Sequence, residues 1–408
     1  MKKRFLSAGL AVVMAASLTA CGGSGSASTT TAAAGEAKAE GESKAAESSA
    51  AADGASFKIG GIGPVTGGAA VYGLAVQHGA EIAVEEINAA GGINGYQVEF
   101  KFQDDEADAE KSVNAYNALK DWGAQIIDGS TTSGACIAVT DKTKEDNMFQ
   151  ITPSGSAVEC VQYDNNFRVC FSNPNQGLAS AQYIGENGLA EKIAVIYDSS
   201  DVYSSGIYEK FAKEAENQPF EIVAAEAFTA DNKTDFSVQL QKAKDAGADM
   251  VFLPIYYQES ALILTQAAAM GYAPKWFSCD GMDGILGGVD NFDVSLTEGV
   301  MLLTPFAADA TDDLTQSFVT KYKEKYGETP NQFAADSYDA IYVIKAAIEK
   351  SGVTPDMSVS DICDGMKAAM TEITVDGLTG SGMTWTADGE ANKAPKAVVI
   401  ENGAYKAM

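Results

Sequence analysis

The sequence predicts an α/β fold built from two doubly wound lobes, each made of βαβ units. Strand-like runs alternate with helix-like segments along the chain, and this order places helices on both faces of a parallel sheet. The alternation occurs in two successive series. The roughly 350 residues that follow Ser56 are also more than a single hydrophobic core usually holds.

The first series extends from residue 57 to about residue 152. Apolar residues at helical spacing, from Leu74 to Ile87, indicate its first helix, which the pair Gly91-Gly92 ends. The predicted strands are Phe57–Gly63, Val98–Phe102, Gln125–Asp128 and Phe149–Thr152. The predicted helices are Tyr72–Asn88, Ala107–Trp122 and a segment from Thr131–Gly134 to about Asn147.

The second series repeats this rhythm from residue 192 onward. Its predicted strands are Lys192–Tyr197, Phe220–Phe228 and Asp249–Leu253, and its predicted helices are Ser204–Asn217, Phe236–Ala246 and Ser260–Gly271. Open parallel sheets bind ligands beyond the carboxyl ends of their strands. We therefore look for a site in the polar segments at these ends, which are Gly67–Tyr72, Gly129–Ser133, Pro153–Ser156, Ser199–Tyr203, Ile255–Tyr257 and Ser278–Gly281.

The N-terminus predicts export. Three basic residues precede the short apolar stretch Phe5–Leu18, a layout typical of a signal peptide and too short to span a bilayer. Leu18–Cys21 resembles a bacterial lipobox, which implies a signal peptide at 1–20 and lipidation of Cys21; an ordinary signal peptide with a chance cysteine is the alternative. Residues 21–56 are rich in small and polar residues, so we expect a disordered tether.

Charge and composition exclude several classes of function. The formal net charge of −28 argues against nucleic-acid binding. We expect no cofactor, and no metal site because His78 is the only histidine and no cysteine pair has zinc spacing. One disulfide among Cys136, Cys160 and Cys170 is plausible for an exported protein, whereas the pairing of Cys279 and Cys363 stays open.

A set of segments occurs in order from about residue 57 to residue 400. They are Lys58–Tyr72, Glu85–Gly95, Asp104-Asp105, Ile151–Ser156, Phe167-Arg168, Asp235–Ser237, Gln266–Gly271 and Met383–Trp385. With this set the chain resembles the type I periplasmic binding proteins of the leucine/isoleucine/valine-binding class, the receptors of ABC importers. No single motif is specific, but the ordered set is.

The resemblance implies ligand-binding roles for seven residues. Ser133 would bind a ligand α-carboxylate, Ser154 and Ser156 would hold the same end, and Asp280 would pair with the ammonium. Tyr72, Tyr203 and Tyr256 would line the cleft, with Tyr257 as the alternative to Tyr256 and Phe333 as a further wall. The simpler interpretations are a helix cap for Ser133, a turn for the other serines, a solvated loop for Asp280 and core positions for the tyrosines.

The resemblance also implies an architecture and a mechanism. Residues 57–172 and 305–380 would form an N-terminal lobe, and 173–304 and 381–408 a C-terminal lobe. Three hinge crossovers are expected near Phe171–Pro174, Leu303–Phe306 and Leu378–Gly382, and the lobes would close around the ligand.

The implied function is a monomeric, lipid-anchored, extracytoplasmic substrate-binding protein that passes an amino acid to an ABC permease. Thr131 and Thr132 stand where a leucine pocket would be more apolar, so a more polar amino acid is also admitted. A sensor that reports ligand occupancy to a receptor is the alternative. An enzyme is disfavoured because a nucleophilic serine needs a positioned base, and no Gly-x-Ser-x-Gly elbow precedes a helix at a strand end.

Overall fold

The computed structural model describes residues 54–408. Cys21, the predicted signal peptide and nearly all of the predicted tether lie outside the described residues. Within 54–408, no helix combines the length and the apolar character that a membrane crossing requires.

Twelve strands and ten α-helices are found in residues 54–408. The strands are β1 (Ser56–Gly63), β2 (Gln97–Asp104), β3 (Ile126–Asp128), β4 (Phe149–Thr152), β5 (Asn166–Arg168), β6 (Lys192–Asp198), β7 (Glu221–Phe228), β8 (Met250–Leu253), β9 (Lys275–Ser278), β10 (Met301–Thr304), β11 (Lys396–Glu401) and β12 (Ala404–Ala407). The helices are α1 (Ala70–Ala89), α2 (Ala109–Trp122), α3 (Ser133–Asp146), α4 (Asn173–Glu186), α5 (Val202–Ala215), α6 (Ser237–Asp245), α7 (Tyr257–Ala269), α8 (Asp313–Tyr326), α9 (Gln332–Ser351) and α10 (Val359–Met370).

These elements form two sheets. The first sheet has the order β2-β1-β3-β4-β5, and all of its strands are parallel. The second has the order β12-β11-β10-β9-β8-β6-β7, in which β11 and β12 form an antiparallel extension at one edge. The predicted α/β architecture with two parallel sheets is confirmed, because each strand and helix predicted from the alternation appears at its expected place.

The central strands are short and fully buried. All residues of β3, β4 and β8 are inaccessible to solvent. Burial on both faces explains why β8 is a continuous apolar run, whereas β3 and β4 also bury the polar residues Asp128, Gln150 and Thr152. The edge strand β7 is mostly half-buried or exposed instead, in accordance with its position at the rim of the second sheet.

Helices α1 and α9 pack along each other and bring two aromatic side chains together. Gly79 lies in α1 directly against the carbonyl of Ala334 in α9, so that a side chain at position 79 would collide with the backbone. This close approach places Tyr72, in the first turn of α1, beside Phe333, in the first turn of α9, with ring centroids 4.4 Å apart.

The chain crosses between the sheets three times. It leaves the first sheet after β5 and enters the second at β6, and it leaves the second sheet after β10. Helix α9 then packs on α1 and contacts β3 and β4 of the first sheet. The chain finally returns to the second sheet at β11.

The third crossover comes later in the chain than the expected segment Leu378–Gly382. Trp385 Nε1 donates to the carbonyl of Arg168 at 2.8 Å, and the Arg168 amide donates to the carbonyl of Gly389 at 3.0 Å. These bonds hold the segment after Gly382 against β5 of the first sheet. The connection therefore falls at residues 392–395, just before Lys396 begins β11.

The cysteines do not form the expected disulfide. Cys136, Cys160, Cys170, Cys279 and Cys363 are all unpaired and buried. Cys136 and Cys160 pack together with Ala157 in a small apolar cluster, so these thiols behave as small hydrophobic side chains. Burial raises the pKa of the Cys160 thiol well above its usual value.

An ion pair is buried where the chain makes its third crossover. Lys393 Nζ lies 2.5 Å from Asp336 Oδ1, and the two side chains are 1% and 3% exposed. The same ammonium donates to the carbonyl of Val169 at 3.1 Å. Lys393 thus ties the crossover both to α9 and to the segment that follows β5.

We predict that Lys393→Ala lowers the free energy of unfolding by about 3–5 kcal/mol, because it leaves the Asp336 carboxylate buried without its partner. Chemical denaturation of the purified protein measures this change. Lys142→Ala, which breaks the exposed pair with Glu145, should change it by less than about 0.5 kcal/mol. Adding Asp336→Ala to Lys393→Ala should restore part of the loss; a double variant no more stable than Lys393→Ala would contradict this explanation.

Candidate functional site

A cavity lies where polar segments at the ends of strands from the two sheets meet. Its volume is about 10 Å³, roughly the space of one water molecule. Its lining residues are Tyr72, Thr131, Thr132, Ser133, Ser154, Tyr203, Tyr256, Asp280, Gly281 and Phe333. The structure thus brings six of the seven candidate ligand-binding residues to one cavity, and Ser156 is the exception.

Ser133 is the first residue of α3, and its hydroxyl is already engaged as an acceptor. The backbone amides of Ser156 and Ala157 donate to Ser133 Oγ at 3.2 and 3.1 Å. The Ser156 hydroxyl lies 3.5 Å from the same oxygen. With its lone pairs occupied, Ser133 Oγ has its proton left to donate, which suits an anionic group in the cavity.

Ser156 lies behind Ser133 rather than in the wall. Its side chain is 1% exposed, and its amide fixes the Ser133 hydroxyl in place. The sequence could not separate a lining serine from a supporting one, since both follow Pro153 within three residues.

Arg168 holds the loop that carries Ser156 and Ala157 in place. It is fully buried, and its guanidinium donates to the carbonyls of Gly155 at 3.1 Å and Ala157 at 2.8 Å. Its Nε lies 3.4 Å from Glu390 Oε2. Arg168 never reaches the cavity, so it acts as a positioning residue for the amides that face Ser133.

Asp280 provides a buried carboxylate in the cavity wall formed by the second sheet. Its Oδ1 accepts from the Tyr203 hydroxyl at 2.6 Å, and its Oδ2 accepts from Gln176 Nε2 at 3.0 Å. Burial raises the pKa of Asp280 to about 6, although these two hydrogen bonds favour the charged form. A carboxylate has about four acceptor positions, so Asp280 keeps the capacity to accept from a cationic ligand group.

Aromatic rings make up most of the remaining wall. Tyr256 packs against Tyr203 with ring centroids 5.0 Å apart and against Tyr72 at 5.4 Å. Tyr256 lines the cavity, whereas Tyr257 packs on the far side of Tyr72. Phe333 completes the apolar surface.

Several contacts join the two sides of the cavity directly. The Tyr72 hydroxyl, carried by α1, donates to the carbonyl of Gly281. The amide of Gln332 at the start of α9 donates to Asp283 Oδ2 at 3.0 Å, and its side chain donates to the Asp280 carbonyl at 3.3 Å. The cavity is therefore enclosed by groups from both sheets.

The only histidine lies away from this cavity. His78 stacks on Tyr326 with ring centroids 3.6 Å apart, and its Nδ1 lies 3.3 Å from the Tyr322 hydroxyl. It is thus a packed and partnered residue. Residues 54–408 contain no cluster of three or more His, Cys, Asp or Glu side chains that could hold a metal ion.

Two doubly wound sheets that enclose a cavity between their strand ends define a two-lobed ligand-binding protein. A family model described as periplasmic binding protein matches residues 56–404. The chain therefore belongs to the periplasmic binding protein family. The family name describes binding rather than catalysis and places its members outside the cytoplasm.

Individual relatives agree with this assignment. The chain is 31% identical over 304 residues to Leu/Ile/Val-binding protein homolog 3 of Brucella melitensis, which covers 74% of this chain and 81% of the relative. It is 30% identical to the leucine-, isoleucine-, valine-, threonine- and alanine-binding protein of Pseudomonas aeruginosa, over 73% of this chain and 79% of the relative.

Solved structures give the same result. The branched-chain amino acid transporter substrate-binding protein LivJ of Streptococcus pneumoniae, in complex with isoleucine, superposes with a TM-score of 0.77 at 28% identity, covering 86% of this chain and 99% of that one. The leucine-binding protein LivK of Thermotoga maritima superposes with a TM-score of 0.76 at 27% identity, covering 86% and 97%.

We predict that Arg168→Met loosens the loop behind Ser133. The carbonyls of Gly155 and Ala157 lose charge-assisted hydrogen bonds of about 1.5–3 kcal/mol each, so amide hydrogen exchange in residues 154–158 should accelerate at least about tenfold. Exchange in α1 serves as the internal reference. Equal acceleration in both regions would show that Arg168 stabilises the whole protein without positioning this loop.

Proposed function

We propose that the protein captures a free α-amino acid outside the cytoplasm and delivers it to an ABC permease. The observation that carries this proposal is the polarity of the cavity. Hydroxyl donors, Ser133 and Ser154, lie on the first-sheet side, and the carboxylate of Asp280 lies on the second-sheet side. A zwitterion has the matching pair of charges.

The first-sheet side suits the ligand carboxylate. Ser133 begins a helix of 14 residues, and the partial positive charge at a helix N-terminus favours an anion. The proton of the Ser133 hydroxyl is available because two backbone amides occupy its lone pairs. Ser154 adds a second hydroxyl to the same wall.

The second-sheet side suits the ligand ammonium. Asp280 is 6% exposed, and a buried carboxylate is costly unless a cation compensates it. Tyr203 and Gln176 orient the carboxylate without neutralising it. A ligand ammonium would supply the missing positive charge.

The aromatic wall suits a side chain with an apolar part. Tyr72, Tyr256 and Phe333 line the cavity together, and the Pseudomonas aeruginosa relative is named for aliphatic amino acids and threonine. The ligand class we propose is therefore branched-chain amino acids and amino acids of similar size.

Capture would proceed by closure of two lobes, one built on each sheet. The contacts of Tyr72 with Gly281 and of Gln332 with Asp283 join the two sides in the closed form. A ligand that bridges Ser133 and Asp280 would favour closure, because it interacts fully only when both sides meet. Lipidation of Cys21 and a tether at 21–56 would keep the monomeric protein near its permease.

Asp280→Asn should weaken the binding of leucine, isoleucine, valine or threonine at least about tenfold, because the neutral amide loses the charge-assisted bond to the ammonium. Titration calorimetry at pH 7.5 measures the affinity. Asp290→Asn, which removes an exposed carboxylate outside the cavity, should leave the affinity unchanged. N-acetyl-leucine, which lacks the ammonium, should not bind wild type. Equal affinities for the wild type and Asp280→Asn would refute the assigned role.

The affinity should depend on pH in one direction. The pKa of Asp280 is raised to about 6 by burial, so the free protein carries a neutral carboxyl below that pH and must release a proton to pair with the ammonium. Affinity should be constant above about pH 7 and fall up to tenfold per pH unit below about pH 5.5. Asp280→Asn should abolish this dependence; a slope that persists in the variant would assign it to another group.

A further inference from the structure

Thr132 occupies a capping position without acting as a cap. It directly precedes α3 with an extended backbone, φ −95° and ψ 149°, which is the usual geometry of a capping threonine. Its side chain nevertheless accepts no hydrogen bond from the helix. The residue is 6% exposed, and its Oγ1 is buried with no hydrogen-bond partner among the residues that the structure describes.

The neighbouring hydroxyls behave differently. Thr131 Oγ1 donates to the carbonyl of Ile62 at 3.3 Å, and Ser133 Oγ accepts from two backbone amides. Of the three consecutive residues Thr131, Thr132 and Ser133, Thr132 is thus the one whose hydroxyl makes no hydrogen bond within residues 54–408. A buried hydroxyl without a partner costs free energy that a ligand with a matching group would recover.

Thr132 also stands between two cavities. It lines the ligand cavity, and together with Tyr256 it lines an adjoining cavity of about 540 Å³. A side chain that is longer than the ligand cavity allows would pass these two residues. Thr132 therefore lies where the ligand side chain, rather than the α-amino-acid core, is expected.

The adjoining cavity is acidic. Four carboxylate residues line it, namely Glu106, Asp198, Asp201 and Glu259. Lys233 also lines it, and its ammonium lies 3.0 Å from Glu259 Oε1. This charge disfavours an acidic side chain at the passage, and the Thr132 hydroxyl can pair with a side-chain group that donates or accepts a hydrogen bond.

We propose that Thr132 Oγ1 hydrogen-bonds the side chain of the bound amino acid and thereby selects neutral polar side chains over apolar side chains of the same shape. The chemical class is a hydroxyl- or amide-bearing α-amino acid, such as threonine or asparagine. This inference rests on the proposed function, because it assumes that Ser133 and Asp280 hold the α-amino-acid core.

The test combines isosteric ligands with an isosteric variant. Threonine and valine differ by a hydroxyl in place of a methyl group, and asparagine and leucine have nearly the same shape. Calorimetry gives the polar-to-apolar affinity ratio of each pair for the wild type and for Thr132→Val. At least one ratio should fall about tenfold in the variant, because the ligand's polar group loses its partner.

Two further variants serve as controls. Thr265→Val, outside both cavities, removes a hydroxyl that bonds the Ala261 carbonyl and should leave both ratios unchanged, while Thr132→Ser keeps the hydroxyl and should preserve the ratio of the wild type. If Thr132→Val fails to fold, Thr132→Ala replaces it in the same comparison. Thermal melting of each variant establishes that it is folded.

The remaining outcomes separate this inference from the proposed function. Unchanged ratios would overturn the role of Thr132. An equal loss of affinity for both members of each pair would also overturn it, because Thr132 would then bind the common core. Failure of the wild type to bind any amino acid would overturn the proposed function itself, and this inference with it.

Discussion

The buried guanidinium of Arg168 is the interaction on which the rest of the site depends. Its side chain holds the carbonyls of Gly155 and Ala157, and its own backbone bonds Trp385 and Gly389. One residue at the end of β5 thus fixes both the loop behind Ser133 and the chain that returns to the second sheet.

The two sides of the cavity differ in their chemistry. Hydroxyls, backbone amides and a helix N-terminus form the first-sheet side, whereas the second-sheet side presents the carboxylate of Asp280. Neutral dipoles stabilise an anion without bringing a full charge into the interior. The first-sheet side therefore has a small free-energy cost of burial when the cavity is empty. The buried carboxylate is costlier, and its raised pKa reflects that cost. For the proposed zwitterionic ligand, the cation would therefore contribute more than the anion to the stability of the closed form.

The sequence predicted the fold well because the fold depends on local patterns. Apolar runs such as that of β8, and helical periodicity such as that of α1, are visible in short windows. Properties that depend on packing between distant segments are harder to predict from the sequence. The third crossover depends on Trp385 reaching Arg168, and the thiols of Cys136 and Cys160 stay unpaired in an apolar cluster. For the same reason, Ser156 was indistinguishable from Ser154 until the loop was placed against Ser133.

The cavity also shows why ligand selection is harder to foresee than ligand class. The groups proposed to face the α-amino-acid core lie at strand ends, where the topology of any open parallel sheet places them. The side-chain environment would depend instead on the orientation of single side chains such as Thr132, whose hydroxyl can either cap α3 or, as in this structure, remain without a partner among the described residues. Since both arrangements fit the same backbone, chains with closely similar folds would differ in the amino acids that they prefer.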